Sequence, residues 1–209
     1  KFFNGVISNF VDSYANGETP VPCIQCNQTV KFSDLLEESK NLNADALVTG
    51  HYAIRKGGLK ESKLFKAKDK TKDQSYFLFA TLQDQLDYVR FPLGNYLKSE
   101  IRQMADDYNL PVSDKPDSQD ICFVTSDSYR DLINKIQPDI NKEGNIFDLN
   151  GNKIGVHKGI ANYTVGQRKG VGVGGQDQPL YVKEVNKNQN YIVLAPLQSL
   201  QKNKIFFKN

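Results

Sequence analysis

VKFSDLLEESKNLNADALVTGHYAI, residues 30–54, joins a helical pattern to an apolar run and reaches a glycine–histidine pair near its end. Leu35, Leu36, Ser39 and Leu42 are expected to share one stripe of a helix. ALVTGHYAI reads as a buried strand ending at Gly50–His51. Helix, apolar strand and glycine in that order form an α/β unit. In such sheets ligands sit beyond the carboxyl ends of the strands. Gly50 and His51 are therefore the first candidate site residues. A bare glycine lets the backbone approach a ligand closely, and it equally makes a plain turn. His51, read alone, is equally a satisfied structural histidine.

Upstream, Phe3, Val6, Ile7, Phe10, Val11 and Tyr14 fall at helical spacing, and Asn16-Gly17 closes that helix. TPVPCIQCN, residues 19–27, then sets Cys23 and Cys26 three positions apart. Its two prolines predict an extended, non-helical presentation of the pair. Half of a zinc site, a redox dithiol, inert buried thiols and a sulfur-handling pair all remain open to this spacing. Zinc wants two close ligand pairs, whereas the other candidates, Cys122, His51 and His157, are unpaired. A thioredoxin-type dithiol wants the motif at a helix start after a strand.

Downstream, RKGGLKESKLFKAKDKTK holds eight basic residues against Glu61 and Asp69 and predicts a hairpin around Gly57-Gly58. SYFLFATLQDQLDYV is expected to be helical, followed by a FPLG turn. KSEIRQMADDYN predicts a helix closed by Asn109, with Pro111 just beyond. A polar loop, VSDKPDSQD, leads into ICFV. Asp114, Asp117 and Asp120 are expected to cap that loop and raise the pKa of the Cys122 thiol. From about residue 144 NIFDL, KIGVH, YTVGQ, LYVKEV and YIVLA predict short strands. Boundaries are expected near 126–143 and near 176. GVGVGG, residues 170–175, satisfies G-x-G-x-x-G but precedes a strand-like run, which disfavours a dinucleotide site. It reads better as a flexible loop.

Of the 209 residues, 39% are apolar and 11% aromatic, enough for a sizeable core. No run approaches the ~18 apolar residues of a membrane span. There is no secretory signal, and three cysteines do not suggest a disulfide framework, so a cytoplasmic location is expected. The net charge of +3 does not by itself argue for nucleic acid. The chain starts without Met inside an amphipathic pattern and stops just after an apolar pair, so an internal portion of a longer protein, cut at both ends, is expected.

In order and spacing, TPVPCIQCNQTVKF, ADALVTGHYA, KDQSYFLF, FPLGNYLKSEIRQMA, DKPDSQDICFV and YTVGQRKGVGVGG resemble the tRNA-specific 2-thiouridylases. These enzymes place sulfur at C2 of the wobble uridine, and the motifs cover nearly the whole chain. The resemblance implies an α/β fold divided as 1–126, 127–176 and 177–209. The first portion would be a partial Rossmann-like domain of the adenine nucleotide α-hydrolase type. The second would be a small β-rich tRNA-binding domain, and the third the start of a C-terminal β-barrel.

The resemblance also implies an ATP-dependent transferase. Cys26 would be the nucleophile, and Cys122 would carry incoming sulfur as a persulfide and close a disulfide with Cys26. Gly50 would contact the nucleotide. Val21, Pro22, Cys23, His51, Lys72, Asp73, Gln74, Gln167, Arg168 and Lys169 would face RNA. Cys23 departs from the pattern, because some members carry Asp there. KDQSYF joins a cation, an amide and aromatics suited to phosphate contact and stacking on an unpaired base.

The implied cofactor is ATP with Mg2+, with no bound metal in this chain. The implied partners are tRNA (those for Glu, Gln and Lys) and a persulfide sulfur carrier or cysteine desulfurase, with no membrane. The family's SGGxDSS-type pyrophosphate loop does not occur in residues 1–209, so the chain alone is expected not to adenylate uridine. A non-catalytic tRNA-binding or sulfur-relay module is the alternative. A zinc-stabilised RNA-binding protein is a third reading.

Overall fold

Pro22 starts a helix rather than breaking one. In the computed structural model, which describes residues 2–114, 121–124, 129–175 and 178–204, the chain divides into two units. The first comprises residues 1–7 and 21–121, the second residues 8–20 and 122–209. Helix α1 (Asn9–Ala15) lies in the second unit, after a π-helical turn over Phe3–Ser8.

The first unit contains α2 (Pro22–Cys26), a π-helical stretch Asn27–Asp34, and α3 (Leu35–Asn41). Proline at the first helical position has φ already set and no N–H to lose, so the expected extended presentation of the cysteines is replaced by a helix. The stripe expected on 30–45 is also corrected. Phe32 and Leu36 are buried, while Leu35 and Leu42 are exposed. Phe32 and Leu36, four residues apart, share the inward face, and Leu35 and Leu42, seven apart, share the outward one.

The buried strand expected to end at Gly50–His51 is only two residues long, with Val48 exposed, and a second strand follows it. Strand β1 (Leu47–Val48) ends before Gly50, and β2 (Ala53–Lys56) pairs antiparallel with β3 (Lys63–Lys66), forming the predicted hairpin. The stretch expected as one helix after residue 75 breaks into a 3-10 turn, Ser75–Leu78, and α4 (Gln83–Tyr88). Leu82 is extended at the break, and the Gln85 side chain accepts its N–H at 2.9 Å, starting α4 afresh. Strand β4 (Val89–Arg90) pairs parallel with β1. Phe32, Leu36, Ala53, Leu78, Leu86, Val89 and Phe91 form the core. Arg55 ties the hairpin to α4, donating to the carbonyls of Leu86 and Asp87 at 2.8 Å each. Helix α5 (Lys98–Asp107) ends as expected, with Asn109 at φ 51.

The second unit holds α6 (Tyr129–Ile136), β5 (Gly144–Phe147), β6 (Lys153–His157), β7 (Leu180–Asn186) and β8 (Tyr191–Pro196). They form one sheet in the order β6-β5-β8-β7, with β5 and β8 parallel and the other pairs antiparallel. This sheet runs across residue 176. YTVGQ, expected as a strand, is a turn. Gln167 N–H bonds the Thr164 carbonyl at 2.9 Å, Gln167 Oε1 accepts Thr164 N–H at 3.0 Å, and Gly166 takes φ 90. Ile146, Ile160, Tyr163, Val171, Val182, Ile192 and Leu194 pack the core. Val171 thus anchors the glycine-rich stretch that was expected to be flexible.

Candidate functional site

Cys23 and Cys26 lie on α2, Cys23 exposed and Cys26 half-buried. The motif therefore does begin a helix, although a helix and loop rather than a strand precede it. Val21 is exposed and Pro22 buried at the helix start. Asn27, next to Cys26, is only 2% exposed, and its Nδ2 donates to the Phe77 carbonyl at 2.9 Å. That bond fastens the cysteine helix to the Ser75–Leu78 turn. Cys122 is exposed and is the first residue of the second unit's longer segment. The capping role expected of Asp117 and Asp120 falls outside the described residues.

Gly50 and His51 follow β1 and line a cavity of about 420 Å³ with Lys31, Leu35, Leu47, Val48, Thr49 and Gln74. A Cβ on Gly50 would meet only Leu93, at an ordinary 3.7 Å, so the first unit does not itself require glycine there. Thr49 Oγ1 lies 2.9 Å from His51 Nδ1. Burial, helped by the nearby Lys31 ammonium, lowers the His51 pKa to about 4. The ring is neutral at pH 7 and offers hydrogen bonds, not charge.

His157 is fully buried in the second unit. Its Nδ1 accepts the Gly159 N–H at 3.1 Å, which leaves Nε2 to donate to the Asn190 carbonyl at 3.2 Å. Burial pushes its pKa down too. These are the chain's two histidines, and both make the fold acid-sensitive. An unfolded histidine takes up a proton near pH 6.5, whereas folded His51 stays neutral to about 4. The unfolded state therefore binds more protons in that window, and stability falls as pH drops from about 6.5 toward 4. The expected loss from His51 is on the order of 3 kcal/mol. Urea midpoints at pH 7, 6, 5 and 4.5 should show it, and His51→Gln should flatten the slope; a variant curve parallel to wild type would refute this.

Lys72 is half-buried. Asp73 and Gln74 serve the fold directly. The Asp73 carboxylate accepts Ala67 N–H at 2.8 Å and the Ser75 hydroxyl at 2.8 Å. Gln74 Oε1 accepts Tyr52 N–H at 2.9 Å, and its own N–H bonds the Tyr52 carbonyl at 2.8 Å. Gln167 holds its turn, with Nε2 donating to the Lys169 carbonyl at 3.0 Å. Arg168 and Lys169 are exposed, and Arg168 lines a groove with Val171, Val173, Gln178, Pro179 and Leu180. The first unit thus gathers Val21, Pro22, Cys23, Cys26, Gly50, His51, Lys72, Asp73 and Gln74, and the second carries Cys122, Gln167, Arg168 and Lys169.

Against known proteins, residues 1–126 match the family described as the tRNA methyl transferase HUP domain. The chain belongs to this family. Residues 130–196 match the tRNA methyl transferase PRC-barrel domain. The fold is accordingly α/β, a Rossmann-like HUP domain followed by a small PRC-barrel domain. Named relatives are similar along the whole chain. A tRNA-specific 2-thiouridylase MnmA of Wolbachia sp. subsp. Drosophila simulans is 52% identical over 99% of this chain and 55% of its own length. Proteins of the same name from Rickettsia bellii and Rickettsia prowazekii are 49% and 47% identical over 100% of this chain, and over 57% and 58% of their own lengths. The chain spans about half the length of these relatives.

Within the HUP domain, reasoning from sequence missed Asn27, Lys31 and Thr49. Lys31 lies four residues before Leu35 in the cavity wall, and Thr49 lies at the break after β1. The one available signal for Asn27 was its place directly after Cys26.

Proposed function

We propose that the full-length protein thiolates the wobble uridine of tRNA at C2. The observation that carries this reading is the 47–52% identity, along essentially the whole chain, to proteins named tRNA-specific 2-thiouridylase. The half-buried Cys26 on a proline-started helix and the exposed Cys122 suit the chemistry, since sulfur transfer needs accessible thiols.

In this proposal Cys122 holds the incoming sulfur as a persulfide, delivered by a sulfur carrier or desulfurase. The Cys26 thiolate attacks its inner sulfur, forming a Cys26–Cys122 disulfide and releasing hydrosulfide. The hydrosulfide adds to C2 as the C2 oxygen departs. ATP with Mg2+, when bound, supplies the group that makes this oxygen able to leave. The cavity of Gly50 and His51 fits an adenosine moiety in size and lining: apolar walls, a neutral imidazole, a hydroxyl and the Lys31 cation. Gly50, which the first unit does not require as glycine, lets such a ligand approach the backbone. Residues 1–209 contain no Gly-Ser-rich loop to cradle its phosphates. Cytoplasmic location and the tRNAs for Glu, Gln and Lys complete the reading.

The family description names methyl transfer, and that is the second reading. The nucleosides of tRNA from a strain lacking 2-thiouridine, supplied with the full-length protein, decide between them by mass spectrometry. Sulfur-for-oxygen exchange at uridine is expected with the full-length protein and not with the 209-residue chain alone. A methylated uridine in its place, or tRNA left unmodified, refutes the proposal.

A further inference from the structure

The Ser75–Leu78 turn and its continuation expose two aromatic rings side by side. Tyr76 is 66% and Phe79 67% exposed, with ring centroids 6.2 Å apart and planes tilted by 47°. Phe77 packs edge-on against Tyr76 at 5.7 Å and braces it from behind. Leu82, also exposed, extends the patch. Neither ring contributes to the core, whose member from this turn is Leu78.

The hairpin that packs against this turn is rich in lysine. Strand β3 packs against the turn, and β3 with its flanking loops carries Lys60, Lys63, Lys66, Lys68 and Lys70. Two carboxylates of this stretch are engaged by the fold, Asp73 by Ala67 and Ser75 and Asp69 by Thr71 and by the Lys98 N–H at 3.0 Å, while Lys68 pairs with Glu100 at 3.1 Å. Flat exposed rings beside a lysine-bearing hairpin match a ligand with π-faces and phosphates, which is single-stranded nucleic acid. The turn is also fixed in place, because Asn27 ties the Phe77 carbonyl to the helix that bears Cys26.

We propose that Tyr76 and Phe79 form a stacking shelf for one unpaired base of RNA, held beside Cys26 by Asn27. This rests on the RNA reading above, and it assigns the base stacking expected of KDQSYF to Tyr76 together with Phe79, just beyond that motif.

The test measures binding of the full-length protein to an anticodon stem–loop RNA with an unpaired wobble uridine, and to the same RNA with that position abasic. Tyr76→Ala and Phe79→Ala should each weaken binding of the uridine RNA roughly tenfold, the size of one base on one ring. Tyr76→Phe should bind as wild type. The dependence of affinity on salt should not change, since no phosphate contact is removed. With the abasic RNA the alanine variants should match wild type. Equal loss on both RNAs, or no loss on either, overturns the shelf while leaving RNA binding intact. A fall in Tm with RNA affinity unchanged assigns the rings to packing within the protein and also overturns it. A wild-type protein that binds neither RNA sinks the RNA reading and the shelf together.

Discussion

Cys26→Ser and Cys122→Ser should each abolish 2-thiouridine formation by the full-length protein, a fall on the order of a thousandfold or more, equivalent to about 4 kcal/mol of barrier. Serine keeps size and shape but not function. Its hydroxyl cannot carry a persulfide, and it ionises far too weakly to attack one. Cys23→Ser should leave activity, because the proposed transfer uses two sulfurs and Cys23 is neither. Cys26 is half-buried and Cys122 exposed, so neither loss should come from unfolding; equal Tm values would establish that. Quantifying 2-thiouridine by mass spectrometry checks all three. A fully active Cys122→Ser protein would remove the persulfide step, and an inactive Cys23→Ser protein would give that thiol a role in the chemistry.

The parts of the fold that sequence disclosed are those ruled by local chemistry. Helix α5 carried its own stop in Asn109, which adopts φ 51, and the β2–β3 hairpin carried its turn glycines. The parts it hid depend on phase and partners. Two prolines around Val21 argued for an extended chain, yet Pro22 takes the first helical position, where its constraints favour the helix. Leu35 and Leu36 are equivalent on paper, and Leu36 is the one buried because it shares a face with Phe32, four residues earlier in the core. YTVGQ alternates like a strand, but Thr164 and Gln167 bond each other in a turn, and only Gly166 and Gln167 bond β7, both at Val182.

The candidate site divides in the same way. The cysteines were legible as residue types but not as members of a helix, and Gly50 was legible as the glycine beyond a strand. Asp73 and Gln74 also hold the fold together, which sequence does not show because hydrogen-bond partners lie as far as 22 positions apart, as between Gln74 and Tyr52.

Gly94→Ala should cost the first unit about 3 kcal/mol or more, at the upper end for an overpacked site. A Cβ built there lies 1.8 Å from the Ala53 carbonyl oxygen and 2.4 Å from its carbon, and 3.1 Å from Ile54 Cγ1. The obstacle is backbone, so no rotamer relieves it. Nor can the turn retreat easily, because the Gly94 carbonyl accepts the Lys68 N–H at 2.9 Å on the stretch leaving β3. Strand β2 would have to move instead. Ala53 at its start is fully buried in the core with Phe32, Leu78 and Val89. Its neighbour Tyr52 holds Gln74 at the wall of the cavity. The damage should therefore reach the cavity of Gly50 and His51 as well as the core. Gly58→Ala is the matched control: a Cβ there meets nothing within 4 Å, and the change should stay within about 0.5 kcal/mol. Urea denaturation followed by circular dichroism measures both, and a Gly94→Ala protein with the wild-type midpoint would show that β2 and the Pro92–Asn95 turn are not locked together by this contact.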